Sequence, residues 1–188
     1  MNRAQTGGED PPQAETLSTR RGFDGVHVHV RVDEVRLPSG RIASREVVEH
    51  PGSVAIVAVT TEGSVLLLRQ RHHPIGRTLL GIPAGTLEPG ESPETCARRE
   101  LEEETGYRAG RLTPLATHFT SPGYTDERMT IFYAEDCEPV GGVIDPDELI
   151  HLAPVPLAEI GRLVAPGPEQ LADAKTLIGL LLLLRQRV

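Results

Sequence analysis

The sequence predicts an α/β chain, and three observations carry that expectation. Short runs of strand-like composition recur between turn signals at residues 53–60, 65–69, 79–83, 112–119, 129–134 and 150–155. Residues 93–105 carry start and stop signals for an amphipathic helix. The leucine-rich end, 169–187, reads as a second long helix. At 188 residues the expectation is one domain with a small appendage.

Taken in order, residues 1–21 are polar and rich in Gly, Pro and Thr with no apolar core to a leader, and they read as a disordered tail rather than a signal peptide. From Gly25, Val26, Val28, Val30 and Val32 share one face while His27, His29, Arg31 and Asp33 share the other, as in a half-buried strand. A turn at Leu37-Pro38-Ser39-Gly40 and a strand over 41–49 complete a hairpin, so 22–50 forms an antiparallel sheet ahead of a main domain over 51–188. His27 and His29 stand on a solvated face without a partner cluster and are not read as ligands.

Residues 53–60 are continuously apolar and β-branched, the mark of a central buried strand. Glu62-Gly63 turns the chain back through 65–69. Ser121-Pro122-Gly123-Tyr124-Thr125-Asp126-Glu127 is a loop on its Pro-Gly pair. Residues 143–150 are acidic, and a short helix over 156–164 is broken by Pro166 and Pro168.

Composition limits the function. A net charge of −8 argues against a general nucleic-acid surface. The apolar run at 177–184 is too short to span a bilayer. Cys96 and Cys137 have neither metal-ligand spacing nor the number for a disulfide framework, which fits a reduced, cytoplasmic setting.

The chemistry concentrates in residues 85–107, GTLEPGESPETCARRELEEETGY. Ser92 suits an N-cap, Pro93 the first helical position, Glu94 the positive helix end and Gly106 the terminus, so a helix runs from Pro93 to Thr105. Glu100, Glu103 and Glu104 stand at i, i+3 and i+4 on one face, while Ala97 and Leu101 form a narrow apolar stripe that docks on a sheet. Like charges at this spacing destabilise an isolated helix, and a hard divalent cation such as Mg²⁺ or Mn²⁺ removes the conflict. In an arbitrary chain three close glutamates are a solvated helix face. Here Gly85, Glu91 and Arg99 stand at fixed offsets from them, giving GX5EX7REUXEEXGU with U apolar. Seven fixed letters arise by chance on the order of once in 10^8 starting points.

This box resembles that of the Nudix hydrolase family, and Arg69–Gly85 together with the loop at 121–127 resembles the ADP-ribose pyrophosphatase branch, as does Asp173-Ala174-Lys175-Thr176 in the last helix. The likeness covers about residues 22–187. It implies an α/β/α sandwich with a mixed central sheet plus an N-terminal antiparallel sheet exchanged in a homodimer. It implies metal ligands at Glu100, Glu103, Glu104 and the Ala84 carbonyl, with Arg99 held by Glu91 or Glu103 to orient them. Arg69, Arg71, His72, Pro122, Gly123 and Tyr124 become candidate substrate contacts. Glu148, with Asp147 and Asp145 behind it, is the candidate general base.

The activity implied is metal-dependent hydrolysis of a small nucleotide substrate, a nucleoside diphosphate joined to another moiety, with ADP-ribose giving AMP and ribose 5-phosphate. The chain departs from the branch at two places: His72 replaces an arginine, next to Arg71 as a substitute, and Gly81 replaces a glutamate. These keep another nucleotide sugar, or broad specificity, as alternatives. A non-catalytic ADP-ribose sensor is a third, against which the intact glutamates argue.

Overall fold

The computed structural model describes residues 10–141, 149–165 and 173–186. They form eleven strands and three α-helices, in two compact units.

The first unit holds β1 (Glu15–Asp24), β2 (His29–Arg36), β3 (Ile42–Glu49) and residues 121–126. The strands make an antiparallel sheet in the order β1-β2-β3. Residues 15–21, expected in the disordered tail, are therefore the greater part of a strand. The sequence ETLSTRRGFD hides it because β1 is held by its ladder to β2 and by polar cross-strand pairs rather than by an apolar face. Thr19 Oγ1 donates to Asp33 at 2.8 Å, and Arg36 and His29 reach Glu15 and Asp24 at 2.5 Å each. The alternation in β2 also runs against expectation. Val26 and Val28 precede the strand and are exposed, and its buried positions are Asp33 and Val35, of the opposite parity. Asp33 tolerates burial because Thr19 and Arg31 satisfy its carboxylate.

The second unit carries β4 (Ser53–Thr60), β5 (Ser64–His72), β6 (Arg77–Gly81), β7 (Ala84–Thr86), β8 (Tyr107–Arg108), β9 (Arg111–Phe119), β10 (Arg128–Pro139) and β11 (Ile150–Pro156). The sheet runs β11-β5-β4-β10-β8, with β6 on β5, β7 on β4 and β9 on β10. Among the described residues only β4 and β10 of this sheet pair in parallel, so the sheet is mixed. Helix α1 (Pro93–Thr105) and helix α3 (Ala174–Gln186) cover its two faces, and α2 (Ile160–Leu163) is a single turn.

Strand β4 is buried on both faces, which is why its sequence has no alternation. Val54, Ile56 and Ala58 meet Cys96, Ala97 and Leu101 of α1. Ala55, Val57 and Val59 meet Leu180 and Leu183 of α3. The result is an α/β/α sandwich built around β4. Helix α3 is described from Ala174, with Asp173 as its cap: Oδ1 accepts from the Lys175 and Thr176 N–H groups at 2.8 and 3.4 Å; residues 169–172 of the expected helix lie outside the described residues. Among the described residues no helix is long and apolar enough to cross a membrane.

Candidate active site

Helix α1 has the bounds and caps expected of it. Ser92 Oγ accepts from the Thr95 N–H at 3.2 Å, and Gly106, with φ 72°, closes the last turn by donating to the Glu102 carbonyl at 2.9 Å. The buried stripe of Cys96, Ala97 and Leu101 fixes the roll of the helix against β4. That roll turns Glu100 and Glu104 toward β7 and leaves Glu103 at the rim, its side chain 55% exposed.

Glu104 is buried, and its Oε2 accepts from the Ala84 N–H at 2.9 Å. Glu100 lies directly over Gly85: a Cβ there would stand 1.9 Å from the carboxylate carbon. The glycine that opens the box is thus required by a close approach, since any side chain would occupy the place of the Glu100 carboxylate.

Arg99 ties the cluster together. It makes a two-pronged pair with Glu91, both contacts 3.0 Å, and reaches Glu100 at 2.8 Å, Glu103 at 3.0 Å and the Thr86 carbonyl at 3.3 Å. Of the two partners expected for Arg99 it has both. The Arg99 guanidinium, with help from the Glu88 N–H, holds the Glu91 carboxyl down at about 2. Glu91 and the neighbouring glutamates in turn push the Arg99 pKa higher still.

Among the described residues no three His, Cys, Asp or Glu side chains form a ready-made cage for an ion. The donor set nevertheless fits a hard cation that takes one or two carboxylates and completes its shell with backbone carbonyl, water and phosphate oxygens. Glu104 bonds to the Ala84 N–H, and the bare Gly85 leaves room for the Glu100 carboxylate. Burial pushes the thiols up, Cys96 to about 12 and Cys137 to about 11.

The remaining candidates separate. Arg69 and Arg71 are exposed and continue the face of Val65 and Leu67, which packs with α3, whereas His72 continues the face of Leu66, which packs with α1. The ladders of β5 to β11 and β6 run without a register shift, so the alternation holds to the strand end. Arg71 and His72 therefore start from opposite faces of the strand.

Pro122, Gly123 and Tyr124 belong to the unit of the N-terminal sheet, where their loop is fastened to the end of β3. There Val48 N–H donates to the Tyr124 carbonyl at 2.8 Å and Thr125 Oγ1 to the Val48 carbonyl at 2.9 Å. Glu148, Asp147 and Asp145 lie outside the described residues. Two residues, Glu127 and Thr176, make contacts that had no place in the expected site. Glu127 accepts from Ser53 Oγ at 2.6 Å and Thr120 Oγ1 at 2.7 Å, and the wholly buried Thr176 accepts from the Ile82 N–H at 3.0 Å. The signal for Thr176 was its place in Asp173-Ala174-Lys175-Thr176, a polar opening to a leucine-rich helix.

Comparison with known proteins gives the same outline. The NUDIX domain model matches residues 49–177, and the nucleoside diphosphate sugar hydrolase N-terminal domain model matches 15–48, the span of β1 to β3. The chain is 41% identical over 166 residues to an ADP-ribose pyrophosphatase of Bacillus subtilis, covering 87% of this chain and 89% of that one. It is 37% identical to a methanol dehydrogenase activator of Bacillus methanolicus, covering 88% and 90%. A solved structure described as an ADP compounds hydrolase superposes with a TM-score of 0.82 at 24% identity, covering 95% and 96%, which establishes the shared fold. With its box intact and folded as a cradle for carboxylates, the chain belongs to the Nudix family, whose enzymes act with a divalent cation.

Proposed function

We propose that the chain hydrolyses the pyrophosphate bond of ADP-ribose, giving AMP and ribose 5-phosphate, with Mg²⁺ as the working cation and Mn²⁺ as a substitute. The observation that carries this reading is the approach of two carboxylates to one stretch of backbone, Glu104 bonded to the Ala84 N–H and Glu100 lying over Gly85. The 41% identity to an ADP-ribose pyrophosphatase supports the substrate.

Glu100, Glu104 and the Ala84 carbonyl would hold the cation, with Glu103 at the rim as a further ligand, and a bound ion would supply charge neutralisation at phosphate oxygens and a water of lowered pKa. Arg99, braced by Glu91, keeps Glu100 and Glu103 from swinging into solvent. A carboxylate, Glu148 or Glu103, would take the proton of the water as its oxygen attacks one phosphorus and the bridging P–O bond breaks, the other phosphate leaving with the bridging oxygen. Arg69, Arg71, His72 and the loop of Pro122, Gly123 and Tyr124 are the proposed substrate contacts. The chain works as a cytoplasmic homodimer joined through its N-terminal sheet, a reading supported by Val28, which is exposed, and Val30 and Val32, which are only partly covered.

A panel of ADP-ribose, other nucleotide sugars, dinucleoside polyphosphates and NADH, with Mg²⁺ or Mn²⁺, tests the assignment. Rapid release of AMP from ADP-ribose, lost by orders of magnitude in folded Glu104→Gln, is the expected result. Preference for another nucleotide sugar would move the substrate, and near-normal turnover in Glu104→Gln would sink the metal site. A second reading, activation of a dehydrogenase, is favoured by the 37% identity to such an activator. Adding the protein to an alcohol dehydrogenase assay separates the two.

A further inference from the structure

The backbone that leads from β6 into the box is pinned from three directions within three residues. The Ile82 N–H donates to Thr176 Oγ1 of α3 at 3.0 Å. The Pro83 carbonyl accepts from the Ile56 N–H of β4 at 2.8 Å. The Ala84 N–H donates to Glu104 of α1 at 2.9 Å. Two of the pins come from parts with evident reasons to be there, the central strand and the acidic helix. The third comes from a helix that otherwise buries Gly179, Leu180 and Leu183.

Packing alone does not ask for a hydroxyl at that place. Thr176 is fully buried, and valine has its shape without the cost of drying an oxygen. The surroundings are arranged to hold the hydroxyl where it is. Asp173 caps its turn, and Lys175 is drawn onto the same carboxylate. Gly81 completes the contact: a Cβ there would stand 3.2 Å from Thr176 Oγ1 and 3.8 Å from an Asp173 oxygen. The glycine that departs from the related branch is thus where the cap of α3 closes on β6.

We propose that Thr176 is a positioning residue for the metal site. It fixes Ile82, and through two residues of taut backbone it fixes the Ala84 carbonyl and the partner of Glu104. The C-terminal helix thereby sets the geometry of a site to which it contributes no ligand. The inference rests on the assignment of Ala84, Glu100 and Glu104 as ligands. A displacement of about 1 Å at a reacting centre can cost on the order of 10²-fold in rate, and loss of an orienting partner typically costs about 10–100-fold in metal affinity or activity.

The test is calorimetric titration of Mn²⁺ into the metal-free full chain, run beside thermal melting and steady-state kinetics, for wild type, Thr176→Val, Thr176→Ser and Gly81→Ala. Thr176→Val is expected to bind Mn²⁺ about tenfold more weakly and to lose kcat with little change in KM. Thr176→Ser keeps the oxygen and restores both. Gly81→Ala presses on the same oxygen and shows a smaller loss of the same kind. Unchanged Mn²⁺ affinity in a folded Thr176→Val overturns the proposal, as does an equal loss in Thr176→Ser, which keeps the oxygen and would assign the effect to disturbed packing. If Thr176→Val does not fold, Gly81→Ala decides: a severalfold loss of affinity supports the proposal and an unchanged affinity overturns it. Wild type that takes up no Mn²⁺ would overturn the ligand assignment and this inference with it, whereas binding in wild type that Thr176→Val leaves intact overturns the positioning role alone.

Discussion

Helices α1 and α3, each thirteen residues among those described, lie on opposite faces of β4 and owe their sequences to different demands. Helix α1 buries a narrow stripe of small and medium side chains and gives most other positions to charge. Helix α3 is leucine-rich, and its polar groups gather at its ends. Each nevertheless sends one buried polar group to the same stretch of backbone, Glu104 to Ala84 and Thr176 to Ile82. Chemistry writes the sequence of one helix and packing that of the other, while the loop between β6 and α1 needs both. Disturbing α1 should cost turnover first, and disturbing α3 should cost stability first.

Gly85→Ala presses that difference hardest. Its Cβ would occupy the place of the Glu100 carboxylate, which must swing away, while β7 has only three residues to disturb. Turnover is expected to fall on the order of 10³-fold, about 4 kcal/mol in the barrier, with melting little changed. Kinetics over a Mg²⁺ titration measure it, and turnover within a few-fold of wild type would show that Glu100 has no fixed place in the site.

The packing side of the comparison is tested by Leu180→Ala against Leu101→Ala, both wholly buried leucines. Each is expected to lose about 3 kcal/mol in urea unfolding from lost burial and the cavity left behind. Turnover per folded molecule should fall further in Leu101→Ala, because Leu101 sets the roll of the helix that carries Glu100 and Glu104. Equal turnover losses would erase the distinction between the helices.

Legibility divided along the same line. The bounds of α1 and β4 were readable because caps and continuous apolarity are local signals, and Arg99 was readable because its partners lie within eight residues along the chain. Strand β1 was not, since ETLSTRRGFD becomes a strand only through its ladder to β2. The inward parity of β2 was misleading because a buried Asp33 looks exposed until Thr19 and Arg31 are placed beside it. Thr176 to Ile82 spans 94 positions, and nothing local announces a hydrogen bond at that range. The opposite faces of Arg71 and His72 follow from alternation alone, once β5 is known to continue to His72.

Acidity sharpens the α1 side further. Glu91 titrates at about 2 in the folded chain against an ordinary 4.5, because Arg99 and the Glu88 N–H favour its ionised form. The unfolded chain therefore takes up the proton first as pH falls. The stabilisation from Glu91 is fully present above about pH 4.5, declines between 4.5 and 2, and is gone below that. The stability difference between wild type and Glu91→Gln should follow the same course in urea unfolding, and a difference independent of pH would show that shape rather than charge joins Glu91 to Arg99.

The smallest effect comes from the arginine next door. Arg98 pairs with Glu94 at 3.0 Å across one helical turn, but both side chains are open to solvent, at 41% and 61% exposure. Screening and side-chain entropy leave such a pair about 0.3–0.5 kcal/mol. Arg98→Ala should lose no more than that, less still in high salt, and should turn over substrate as wild type does. Arg99→Ala, one position along, strips Glu91, Glu100 and Glu103 of a shared partner and should lose most of its turnover. Two adjacent arginines with similar costs would mean that the network around Arg99 is surface charge and not the frame of the site, so the gap between them measures how far the box is built rather than merely acidic.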